Sequence, residues 1–155
     1  MTYDEMLILS DQAGLITKEK DLQAYDGRIY GRRVAIRRSI ETQRKKACVL
    51  AEELGHYYTS AGDILALDSV TARKQERHAR EWAFDLQIGL DGIISAYRAG
   101  CMTEADAADH LDITVDFFHE CIDCYRQRYG TYTRYREYTI IFNPYLRVLK
   151  DEDSS

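Results

Sequence analysis

From about residue 40 to 59, Ala47, Leu50, Ala51, Leu54 and Tyr58 recur at spacings of three and four. That period describes an amphipathic helix with one face turned to a core. Ser39 is a fair N-cap, with Thr42 three residues on, and Ala61-Gly62-Asp63 closes the segment. The helix has to accommodate two features that helices usually avoid. Gly55 stands in its interior, where glycine costs about 0.5–1 kcal/mol relative to alanine, so the position has a packing or site reason. Glu52, Glu53 and His56 lie in the same apolar stretch, where charges are costly unless something uses them.

The spacing of those three residues suggests a use. Residues four apart share a helix face, so Glu52 and His56 project side by side. Glu53 lies about 100° around the helix, within reach of a water held by that pair. This is the arrangement of His-Glu-x-x-His metallopeptidases, where the glutamate is the general base for a zinc-polarised water. Here Glu52 replaces the first histidine, and carboxylate oxygen is a known zinc donor. The plain alternative is a glutamate-rich helix with no chemistry. Gly55 weighs against it, because a missing side chain beside His56 lets another backbone or a substrate come close.

Around this helix the chain reads as a mixture of elements. Residues 3 to 13 form a helix ended by Gly14, and Leu15 to Tyr25 is a connector with some helix. Asp26-Gly27 marks a turn, followed by a strand or hairpin through Ile29, Tyr30, Val34, Ala35 and Ile36 with arginines facing solvent. A second helix spans about 70 to 88, its stripe formed by Ala79, Trp82, Ala83 and Leu86. Ile93 to Ala99 make a helix ending at Gly100. Thr103 caps another, and after Asp112 to Thr114 a longer one holds Val115, Phe118, Ile122 and Tyr125. The last two have the cadence of a helix-turn-helix. The second of them carries acids where a DNA reader carries Arg, Lys, Asn or Gln, so a packing or protein-contact unit is expected. Tyr138 to Phe142 reads as a strand, and Tyr145 to Leu149 as an extended return.

Bulk properties narrow the class. At 155 residues, 45% hydrophobic and 30% charged, the chain can bury a core and stay in solution. No apolar run approaches the roughly 20 residues that cross a bilayer, and no export signal is visible, so a cytoplasmic protein without membrane contact is expected. Cys48, Cys101, Cys121 and Cys124 are then expected as free thiols, the Cys121-x-x-Cys124 pair included. A net charge of −5 argues against an unaided nucleic-acid binder. It hides a basic flank of Arg28, Arg32, Arg33, Arg37, Arg38, Arg44, Lys45 and Lys46, which is either a solvated face or a means of steering an acidic or nucleic-acid-bound partner.

Two blocks, Cys48-Val-Leu-Ala-Glu-Glu-Leu-Gly-His-Tyr-Tyr-Thr-Ser60 and Lys74-Gln-Glu-Arg-His-Ala-Arg-Glu-Trp-Ala83, together resemble the ImmA/IrrE family of metallo-endopeptidases. The resemblance covers residues 1 to 90, and the tail looks like that of phage and mobile-element members. It implies an α+β fold: a mostly helical zincin-like core with a small β-sheet at 1–90, then a helix-turn-helix-like extension with a short C-terminal strand at 91–155. It implies zinc as cofactor, Glu53 as general base, and Glu52 and His56 as metal ligands. Glu76, three residues before Ala79 and so on its buried face, is the third ligand, with His78 the alternative. Two carboxylate ligands make zinc a weaker Lewis acid than the usual set. Tyr57 or Tyr58 could add an oxyanion donor. The implied function is site-specific cleavage or inactivation of a helix-turn-helix repressor of a phage or mobile element. Two alternatives are a zincin-like regulator that binds the repressor without hydrolysis, and a DNA-associated regulator using Arg28 to Arg38. His110 and His119 are expected at the surface without partners.

Overall fold

A computed structural model of the chain describes residues 1–60 and 68–152. Helix α1 (Tyr3–Gln12) opens with a capping box in which Thr2 and Glu5 satisfy each other's backbone N–H groups. It stops at Gly14, whose φ of +76° turns the chain into strand β1 (Ile16–Lys20). Strands β2 (Gly27–Tyr30) and β3 (Arg33–Arg37) form a hairpin closed by Gly31 at φ +57° and Arg32. β3 lies in the middle of the sheet, antiparallel to β2 and parallel to β1.

The strand at Ile16–Lys20 corrects the expected connector. Its Thr-Lys-Glu-Lys sequence is too polar to read as a strand, but each residue from Ile16 to Lys20 pairs with its partner from Arg33 to Arg37, so tertiary pairing decides the conformation. Val34 and Ile36 point inward from the sheet and are buried against helix α2 (Gln43–Thr59). Thr42 caps α2 by accepting from the Lys45 N–H; Ser39, the expected cap, lies outside the helix. The expected stop at Ala61-Gly62-Asp63 lies outside the described residues.

Helix α3 (Ser69–Gln87) starts on Asp68, which accepts from the N–H groups of Val70 and Thr71, and runs along α2. Gly55 explains how closely. A Cβ built at Gly55 would stand 2.2 Å from the Ala79 carbonyl oxygen, so the two backbones touch where α2 has no side chain and α3 only a methyl. Helices α4 (Gly89–Arg98), α5 (Glu104–Leu111) and α6 (Val115–Tyr129) follow. Thr103 and Asp106 form the capping box of α5, and Thr114 caps α6. α6 packs on α3 through Phe84 and Phe117, with ring centroids 4.9 Å apart. The Tyr125 hydroxyl donates to Asp85 at 2.6 Å.

The tail ends in a second antiparallel sheet of β4 (Tyr132–Tyr135), β5 (Tyr138–Ile141) and β6 (Arg147–Lys150), with β5 central. β5 is the expected strand and β6 the expected extended return, and β4 is the strand that was not expected. Tyr132-Thr-Arg-Tyr lacks an apolar alternation, and only pairing with the buried Tyr138 and Ile140 of β5 makes it a strand. The fold is thus α+β with two small sheets among the described residues. One cluster of buried apolar side chains runs from Met6 and Leu50 through Phe84 and Phe118 to Phe142.

Candidate functional site

Of the expected residues, the motif helix and its neighbour bring His56 and Glu76 into contact and leave Glu52, Glu53 and His78 in separate surroundings. Glu53 lies under the sheet and is 8% exposed. A Cβ at Gly27 of β2 would stand 2.8 Å from its Oε1, so the strand backbone roofs this carboxyl and only glycine leaves room for it. His56, one turn on, is also buried. Its Nε2 lies 3.4 Å from Oε2 of Glu76 on α3. Its Nδ1 is buried without a hydrogen-bond partner.

Glu52 is one-third exposed and faces Arg80, with 3.8 Å between its Oε1 and the Arg80 Nε. Arg80 extends further to pair with Glu120 on α6, so one guanidinium links the motif helix to the tail. Sequence reasoning missed Arg80. The signal was present, since it stands four residues after Glu76 on one helix face, but its partners on α2 and α6 come only from the fold. Glu76 differs from the expectation in burial. Its side chain is 57% exposed while Ala79 and Ala83 are buried, so it reaches His56 from the rim. His78 is exposed and joins no hydrogen bond or ion pair among the described residues. Tyr58 stacks on Trp82 with centroids 5.0 Å apart, and Tyr57 meets Tyr58 edge-on.

Burial beside other acids raises the proton affinity of two of these carboxyls, Glu53 and Glu52. Glu53 is pushed up to about 8, first by burial and then by the charges of Glu52 and Glu76. Glu52 is also raised, by burial above all, with Arg80 opposing. Arg80 and then Lys45 are the positive charges that favour the ionised form of Glu52.

Among the described residues, no three His, Cys, Asp or Glu side chains are already gathered as a metal-holding group. In its chemistry the donor set still fits a divalent cation. An imidazole Nε2 and a carboxylate are in contact, a second carboxylate stands one turn along the same helix, and the assembly has an excess of negative charge. Elsewhere, His110 and His119 are exposed as expected but have partners. The first contacts Ser95 Oγ at 2.8 Å and the second Glu104 at 3.0 Å, which holds the His119 pKa above its usual range. Cys48, Cys101, Cys121 and Cys124 are free thiols. No protein-family model, curated protein or solved structure matches the chain.

Proposed function

We propose that the chain is a zincin-like metallo-endopeptidase of the ImmA/IrrE kind that acts on a helix-turn-helix repressor of a phage or mobile element. The observation that carries this reading is the contact of His56 Nε2 with Glu76 Oε2 across two helices, beside a roofed Glu53. His56, Glu76 and Glu52 would hold zinc. Bound there, zinc would supply the Lewis acidity that makes a water nucleophilic near neutral pH. Glu53 takes the proton of the attacking water and delivers it to the leaving amide nitrogen. Burial raises the proton affinity of Glu53, which favours proton uptake once the carboxyl is ionised, and the positive charge of a bound zinc would favour that ionised form. The roofing strand excludes solvent from the side of Glu53 that faces the sheet.

Calorimetry of the full chain with zinc tests the reading. One zinc per chain is expected, weakened at least tenfold in His56→Ala and Glu76→Ala, since removing a first ligand removes a donor bond. A Glu53→Gln variant should keep zinc and lose cleavage of a co-expressed repressor. Absence of stoichiometric zinc, or cleavage by Glu53→Gln, overturns the assignment. The ion pair of Glu52 with Arg80 at 3.8 Å favours a second reading, a regulator that binds the repressor without hydrolysis, because the guanidinium charge competes with a cation for the carboxylate needed as the third donor. Under that reading Arg80→Gln raises zinc affinity.

A further inference from the structure

The first sheet has two faces of opposite character. Its inner face is apolar and packs on α2, and Glu19 on that side is used by the buried Lys46 at 3.0 Å. The strand registers lay out the outer face in rows. Arg33 stands between Ile16 and Tyr30, Ala35 between Lys18 and Arg28, and Arg37 beside Lys20. No acid occupies an outward position on the three strands. Arg37 is held by Asp26 and by the carbonyl oxygens of Tyr25 and Gln23. Among the described residues, Lys18, Lys20, Arg28 and Arg33 have no carboxylate partner and are exposed.

Four unpaired cations on one flat face are unexpected in a chain of net charge −5. Elsewhere the surface mixes signs, as in the pairs of Arg44 with Asp112, Arg77 with Glu81 and Arg128 with Asp85. Like charges gathered on a sheet repel and weaken it. Aromatic rings accompany them. Tyr30 is 76% exposed and Tyr25 56% exposed, and the Arg28 guanidinium lies 5.5 Å from the Tyr25 ring centroid. Rows two residues apart along a strand repeat at about 6.6–6.8 Å, so the cations form an extended track beside the open ring of Tyr30. That pairing of backbone-tracking charge with stacking surface is what single-stranded nucleic acid requires.

We infer that the outer face of the first sheet binds single-stranded nucleic acid, with Lys18, Lys20, Arg28 and Arg33 on the phosphates and Tyr30 stacking a base. The chain's overall negative charge argues against binding only if charge is averaged over the molecule, and here it is segregated. The inference is independent of the zinc site, because the motif helix covers the opposite face of the sheet.

Fluorescence anisotropy of the full chain with a labelled oligothymidylate of about 20 nucleotides, longer than one such site, tests this. Between about 50 and 200 mM salt, log affinity should fall against log salt with a slope near −3, for four phosphates at about −0.7 each. The combined variant Lys18→Gln/Arg28→Gln/Arg33→Gln should reduce the slope to about −1. Tyr30→Ala should weaken binding about fivefold or more. Arg134→Gln/Lys150→Gln on the second sheet should change neither, and circular dichroism should show every variant folded. Four results overturn the inference: no binding at the lowest salt, an unchanged slope in the combined variant, duplex bound as tightly with Tyr30→Ala silent, or polyglutamate competing as well as the oligonucleotide. The last would identify the face as a dock for an acidic protein.

Discussion

Helix α3 makes two interfaces that solve the same problem differently. Against α6 it packs conventionally. Phe84 meets Phe117, and Tyr125 is buried with its hydroxyl on Asp85. Against α2 the contact is backbone to backbone at Gly55 and Ala79, beside a group of carboxyls crowded enough to push Glu53 up to about 8. The first interface gains apolar burial. The second brings ionisable groups together at a cost in stability, which is the pattern of a functional site.

Breaking the conventional side should cost most. Phe117→Ala is expected to lose about 3–5 kcal/mol, the range for a buried phenylalanine, read as a lower urea midpoint at constant slope. A loss under about 1 kcal/mol, far below that range, would mean that α6 is not an integral part of the core. Gly55→Ala tests the other side. On an ordinary helix this change stabilises by about 0.5–1 kcal/mol, but here the methyl meets a carbonyl oxygen, and overpacking should cost about 1–3 kcal/mol. Adding Ala79→Gly should not rescue it, since the clash is with the backbone of residue 79 and not its methyl. A stabilised Gly55→Ala protein would show that α2 and α3 are not in backbone contact.

The two interfaces were not equally legible. The stripe Ala47, Leu50, Ala51 and Leu54 gives α2, because periodicity reports burial directly; all four are fully buried. Tyr58 continues the period and is half exposed, since it has passed the end of the core and stacks on Trp82. Gly55 was readable as a site of close approach, though not which backbone approaches. β1 and β4 were not readable, because their polar sequences take strand form from partners at Arg33–Arg37 and Tyr138–Ile141. Glu52, Glu53 and His56 followed from helical spacing. The roof of Gly27 over Glu53 and the link from Glu52 through Arg80 to Glu120 are contacts between distant segments, and no local pattern encodes them.

The smallest effect distinguishes the interfaces by sign. In metal-free protein burial pushes the folded-state Glu53 up to about 8, against about 4.5 for an unburied glutamate. A carboxyl whose folded pKa is raised binds its proton more tightly in the native state, so it lowers stability as pH climbs from about 4.5 towards 8. Below that window both states are protonated and the group is neutral in effect; above it the full penalty is present. Glu53→Gln removes the titration. In the presence of chelator the variant should match the parent near pH 4 and exceed it by about 1–2 kcal/mol at pH 8, less than the shift converts to because the surroundings of an ionised Glu53 relax. Paired urea titrations of the two proteins across that range measure the difference. A gap that is constant with pH would mean that Glu53 ionises normally, and that the α2–α3 interface is as conventional as the one on the other side of α3.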